Sequence, residues 1–63
     1  MRIDEEAAKA ITRRFLGQYH NVIDTKAVLE ENTWRVTAQL SFTGSQKKTV
    51  QIDAASGKIM GYT

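Results

Sequence analysis

The chain has no cysteine and a single histidine, His20. Disulfides are therefore excluded, and the redox compartment stays open. No Cys/His cluster offers a structural metal site, so none is expected, nor any cofactor. No apolar run approaches the ~20 residues that a bilayer-spanning helix needs. Charge of one sign is also scarce. Nine basic residues stand against seven acidic ones, a net charge of +2, and the sequence pI of about 9.2 reflects that small excess. A dedicated binder of nucleic-acid backbone usually carries a denser basic stripe, so the charge reads first as a solubility feature. The start, Met1-Arg2-Ile3-Asp4-Glu5-Glu6, is acidic where a signal peptide is basic and then apolar. If Met1 is the native start this points to the cytoplasm; a piece of a longer exported protein would belong in the cell envelope. With 63 residues and no cross-link, packing must hold the fold, alone or with a partner chain.

What the sequence does have is one stretch of strict alternation, Trp34-Arg35-Val36-Thr37-Ala38-Gln39-Leu40-Ser41-Phe42. A period of two places Trp34, Val36, Ala38, Leu40 and Phe42 on one side of an extended strand and the polar residues on the other. The neighbouring segment, Val22 to Glu30, has apolar residues at both parities, and the central strand resolves it. A two-residue turn at Glu31-Asn32 pairs Leu29 with Trp34, Ala27 with Val36, Thr25 with Ala38 and Ile23 with Leu40. Ile23, Ala27 and Leu29 then join the core, and Val22 and Val28 face outward. A one-residue shift would bury Lys26 and is disfavoured.

Upstream, Asp4 reads as the cap of a helix whose first turn is Glu5-Glu6-Ala7, with Ile3 and Ala8 placed as a weak hydrophobic staple. Ala8, Ile11, Phe15 and Tyr19 recur at spacings of three and four, with Ala7 and Leu16 beside them. Lys9, Thr12, Arg13 and Arg14 fill the remaining face. Gly17 is expected to end the helix as a left-handed residue. Downstream, Thr43-Gly44-Ser45 reads as a turn. Gln46 to Asp53 is a strand with Val50 and Ile52 inward and Lys48 near the open end of the sheet. Ala54-Ala55-Ser56-Gly57 forms a tight turn, with Asp53 and Ser56 bonding local amides and Gly57 at positive φ. In the last strand Ile59 is placed inward, with Met60 and Tyr62 outward; a one-residue change in loop length would invert this.

The expected fold is α+β: an N-terminal helix over about 4–17, packed on a four-stranded antiparallel meander of strands over about 22–30, 33–42, 46–53 and 58–62. The expected core is Ala8, Ile11, Phe15, Tyr19, Ile23, Ala27, Leu29, Trp34, Val36, Ala38, Leu40, Phe42, Val50, Ile52 and Ile59.

Chemistry-bearing arrangements are few. His20 with Asp24 and one of Ser41, Ser45 or Ser56 is the only nucleophile–His–acid set that can be written, and no serine is marked as activated. No enzymatic activity is expected. Asp4, Glu5 and Glu6 are accounted for by the helix N-terminus, and Arg13 and Arg14 by its C-terminus. Lys9 and Arg13 are a like-charged i,i+4 pair, the one hint of an anion-binding helix face. The outer sheet face is the main candidate surface: Val22, Lys26, Val28, Arg35, Thr37, Gln39, Lys47, Thr49, Gln51, Met60 and Tyr62. Cover by a protein partner, or by a second copy as a homodimer, explains its apolar members. An exposed edge strand offers a second route, by strand addition. The alternative is nucleic acid bound through Lys26, Arg35 and Lys47, for which Tyr62 is the one stacking aromatic.

The Ala-rich acidic helix start, Trp34-Arg35-Val36 opening the central strand, and Val50-Gln51-Ile52-Asp53 followed by Ala54-Ala55-Ser56-Gly57-Lys58-Ile59 together resemble the PepSY domain. That pattern pairs a W-x-V strand with a V-D-x-x-T-G-x-I hairpin over almost the whole chain; Ser56 stands where threonine is commoner. PepSY domains occur in peptidase propeptides and cell-envelope proteins, where a role in inhibiting or regulating peptidases has been proposed. The resemblance implies a non-enzymatic, protein-binding or regulatory module without catalytic residues.

Overall fold

A computed structural model describes residues 2–43 and 45–63. It holds one helix, α1 (Glu5–Leu16), and four strands, β1 (Asp24–Glu30), β2 (Thr33–Gln39), β3 (Lys47–Asp53) and β4 (Ile59–Tyr62). The strands form one antiparallel sheet in the order β1-β2-β3-β4, with α1 on one face. The α+β meander expected from the sequence is the observed fold.

The helix starts as its sequence dictates. The Asp4 carboxylate accepts from the Ala7 amide at 2.8 Å, and Glu5 and Glu6 occupy the positive end of the dipole. Its deepest line is Ala8, Thr12 and Leu16, one turn apart, with Ile11 and Phe15 half-buried beside it. The sequence places Thr12 on the solvent face, yet it is completely buried. Its hydroxyl donates to the Ala8 carbonyl at 2.9 Å, so the side chain enters the core with its polar atom already satisfied. Gly17 is right-handed (φ −61°, ψ −16°), not the left-handed residue expected. Its value is close approach: a Cβ there would meet the Arg13 carbonyl oxygen at 2.5 Å. The chain then tightens, and the Tyr19 and His20 amides both donate to the Leu16 carbonyl. This carries Tyr19 off the helical stripe to 72% exposure, out of the expected core.

Glu31 and Asn32 both have positive φ (48° and 76°), the conformation of a type I′ two-residue hairpin loop. The loop sets the expected register, Leu29 opposite Trp34, Ala27 opposite Val36 and Thr25 opposite Ala38. The fourth expected pair, Ile23 with Leu40, does not form. The Ile23 amide donates to the Gln39 carbonyl, although Gln39 already faces Asp24. Two residues opposing one is a β-bulge, and it inverts the parity upstream. Val22 packs on the core and Ile23 is exposed, the reverse of the expectation.

β2 likewise ends at Gln39, short of the expected Phe42. The Leu40 amide donates to the Gln46 carbonyl, and the chain bends through hydroxyl contacts of Ser41, Thr43 and Ser45 at 2.9–3.4 Å. Phe42 leaves the sheet and is 92% exposed. Gly44, the centre of the turn read from the sequence, lies outside the described residues. Leu29, on the free edge of β1, is also exposed.

The β3–β4 turn is built as expected. Ser56 Oγ donates to Asp53 Oδ2 at 2.8 Å, Ala55 and Lys58 amides find Asp53 and Ser56, and Gly57 sits at φ 76°. Past it the ladder pairs Ile52 with Ile59 but Gln51 with Gly61, leaving Met60 as an extra residue. This second bulge puts Ile59 and Tyr62 on the same side.

The core is Ala8, Leu16, Val36, Ala38, Val50 and Ile52, ringed by Ile3, Ile11, Phe15, Val22, Ala27, Trp34, Leu40 and Ile59. Ala54, fully buried at the turn, was absent from the expected set. Trp34 closes one end. Its indole N–H donates to the Ile3 carbonyl at 3.0 Å, while the Ile3 amide donates to the Ala54 carbonyl at 2.7 Å.

Candidate functional site

The sheet has two faces, and α1 covers one of them. The other is left uncovered by the described residues, and its rows follow from the register. Lys26, Thr37 and Thr49 form one row; Val28, Arg35 and Gln51 form the next, with Met60 beyond them across β4. Gln39 and Lys47 pair at one end. These nine residues of the sequence-derived surface therefore lie on one face.

Two others do not. Val22 packs on the core, as the bulge at Ile23 requires. Tyr62 is opposite Val50, hence on the helix side, where its ring stands edge-on to Phe15 with centroids 5.2 Å apart and planes at 67°. Simple alternation from Ile59 sends Tyr62 outward; the extra residue Met60 reverses it. The outer face thereby loses the one aromatic that base stacking would use.

The register also brings residues to this face that the sequence-derived set omits. Asp24 shares a row with Gln39 and Lys47, and Glu30 and Thr33 share one with Asp53. Period-two parity was signal enough to find them. Three carboxylates thus accompany the three cations Lys26, Arg35 and Lys47. Arg35 is engaged by Glu30 at 3.4 Å, with both side chains half exposed, so the pair is solvent-screened and worth about 1 kcal/mol or less. This end of the face holds a shallow hollow of about 580 Å³ lined by Glu30, Glu31, Thr33, Arg35, Gln51 and Met60. Met60 on β4 is exposed beside it, and Val28 is exposed on β1 at the opposite edge of the sheet. The face can offer neutral hydrogen-bonding groups, two apolar side chains and balanced charge.

The remaining sequence-derived candidates are scattered. His20 is exposed at the end of α1 and lines a groove of about 260 Å³ with Phe15, Leu16, Tyr19, Lys48 and Tyr62. The Asp24 carboxylate accepts from the Thr25 amide, Ser41 and Ser45 bond within their loop, and Ser56 bonds Asp53. No hydrogen bond among the described residues joins His20 to Asp24 or to a serine. No group of three or more His, Cys, Asp or Glu among the described residues could hold a metal ion. On the helix, Lys9 is held by Glu5 at 2.9 Å. That hydrogen bond raises the Lys9 pKa above its ordinary 10.5, against an opposing effect of desolvation and with weaker help from nearby carboxylates. Its charge is thus already answered within the helix. No helix among the described residues is long and apolar enough to cross a membrane.

No family model, curated protein or solved structure matches the chain.

Proposed function

We propose that this chain is a non-enzymatic binding module that takes a protein partner on the outer face of its sheet. The observation that carries the reading is the uncovered face itself. Val28 and Met60 stand exposed there, among Thr37, Gln39, Thr49 and Gln51 and equal numbers of cations and carboxylates. Exposed apolar side chains at the two edges of the face, Val28 on β1 and Met60 on β4, with neutral donors and acceptors and charge of both signs between them, suit a protein surface better than a polyanion. The resemblance to PepSY domains supplies a setting, the inhibition or regulation of a peptidase. The test is an NMR titration of the labelled domain with peptidases and envelope proteins of its source organism. Shifts clustered at Val28, Arg35, Thr49, Gln51 and Met60 are expected. Shifts confined to α1, or none with any of these proteins, would overturn the assignment.

Nucleic acid on Lys26, Arg35 and Lys47 is the alternative. Those cations share the face with Asp24, Glu30 and Asp53, and each carboxylate offsets the counterion release that drives such binding. Titration with single-stranded oligonucleotides at low salt is expected to be flat.

A further inference from the structure

The sheet has two free edges, and they are unlike. β4 is four residues long, carries the Met60 bulge and contains Gly61, features that blunt an edge. β1 runs seven residues, Asp24–Glu30, in unbroken register with β2, and exposes Val28 (55%) and Leu29 (42%). The type I′ loop makes Glu30–Thr33 a hydrogen-bonded pair, so Val28 and Lys26 also spend their backbone groups on β2. The N–H and C=O groups of Thr25, Ala27 and Leu29 therefore point to the free edge.

From this edge we infer that the chain pairs with a second copy of itself, β1 against β1, about a two-fold axis at Val28. The outer-face charges of β1 select that register. Lys26 and Glu30 lie two residues either side of Val28, so the two-fold sets Lys26 of each copy opposite Glu30 of the other. Val28 meets its own counterpart. On the helix side Ala27 and Leu29 of the second copy face each other as the hydrogen-bonded pairs, which is where the free backbone groups lie. An axis at Ala27 instead sets Asp24 opposite Glu30, and an axis at Lys26 sets that lysine opposite itself. An axis at Thr25 matches Lys26 with Asp24 but leaves Val28 and Leu29 uncovered.

The monomer is prepared for this charge arrangement. Lys26 has no carboxylate within 4.0 Å among the described residues, and Glu30 is flanked on its inner side by Arg35. In the dimer Glu30 lies between Arg35 of its own chain and Lys26 of the other. The product is a continuous eight-stranded sheet with the two outer faces side by side. The inference does not depend on what those faces bind.

Sedimentation across a series from micromolar to millimolar chain tests it. The unmodified protein is expected to pass from monomer to dimer. Lys26→Glu alone and Glu30→Lys alone each turn two attractive cross-strand pairs into repulsive ones and are expected to weaken association about tenfold or more. Mixing the two variants restores both pairs in the heterodimer, so the mixture is expected to dimerise where neither variant does. A monomer at every concentration, association unchanged in either variant, or a mixture no tighter than its components would overturn the proposal. Both positions are exposed, so circular dichroism of the variants should match that of the parent.

Discussion

Replacing Trp34 by phenylalanine probes the clip that joins the N-terminal segment to the sheet. The indole N–H donates to the Ile3 carbonyl at 3.0 Å, and Ile3 in turn holds the Ala54 carbonyl through its own amide at 2.7 Å. Residue 3 is thus strung between β2 and the β3–β4 turn, immediately before the Asp4 cap. Phenylalanine keeps a ring in the half-buried site but has no donor. The lost hydrogen bond is worth about 1 kcal/mol. The missing ring atoms, at about 0.8 kcal/mol per buried carbon group, contribute about as much again. A chain of 63 residues at typical specific stability has only about 3–9 kcal/mol in total, so a loss of about 2 kcal/mol is a large share. In a domain of this size it lowers Tm by about 8–16 °C, read by far-UV circular dichroism. Hydrogen exchange separates the clip from general packing: the Ile3 amide should lose protection more than the Val36 amide at the sheet centre. A Tm drop under about 3 °C, or an Ile3 amide as protected as before, would refute the reasoning.

Gly57→Ala tests the last hairpin. The new Cβ would find Ile3 Cγ2 at 3.5 Å and Ile11 Cδ1 at 3.6 Å, ordinary contacts, so the cost is that of holding alanine at φ 76°, about 1–2 kcal/mol by denaturant unfolding. The Lys9–Glu5 pair predicts an alkaline effect. Its folded pKa lies above the ordinary 10.5, so the contribution is complete below that value and is lost as pH rises through the raised one. Glu5→Gln is expected to bring the Lys9 titration, followed by NMR, back toward 10.5, and a Lys9 pKa unmoved by it would refute the pairing.

Much of the fold was legible because burial penalises the wrong parity strongly. Val36, Ala38, Val50 and Ile52 are all fully buried, and a one-residue slip of β1 against β2 would turn Lys26 into the core. The helix N-cap and the β3–β4 turn were legible for a related reason: Asp4, Asp53, Ser56 and Gly57 make their hydrogen bonds within three or four residues. The misreadings at Val22, Ile23 and Tyr62 fall where the parity itself changes. A bulge adds one residue at small energetic cost, and the apolar pattern beside it supports either phase. Val22 and Ile23 are near-equivalent in volume and polarity, so composition could not say which entered the core. Tyr62 changed sides for the same reason, through Met60. Thr12 was misplaced by its hydroxyl, which a helix can satisfy on the carbonyl one turn back.

These parity changes reshape the candidate face as much as the core. Without Tyr62 the face has no aromatic platform, and with Asp24, Glu30 and Asp53 restored to their rows it has no net charge. The three cations read from the sequence as a nucleic-acid contact, Lys26, Arg35 and Lys47, become part of a checkerboard in which Arg35 already leans on Glu30. Long-range attraction to a polyanion averages over such a pattern within a Debye length of about 8–10 Å. Short-range recognition does not, because a partner with the complementary checkerboard meets every charge at contact distance while a mismatched one is repelled. The alternation of Lys26 with Glu30 about Val28 is one such pattern, and the second copy of the chain is a surface that carries its complement.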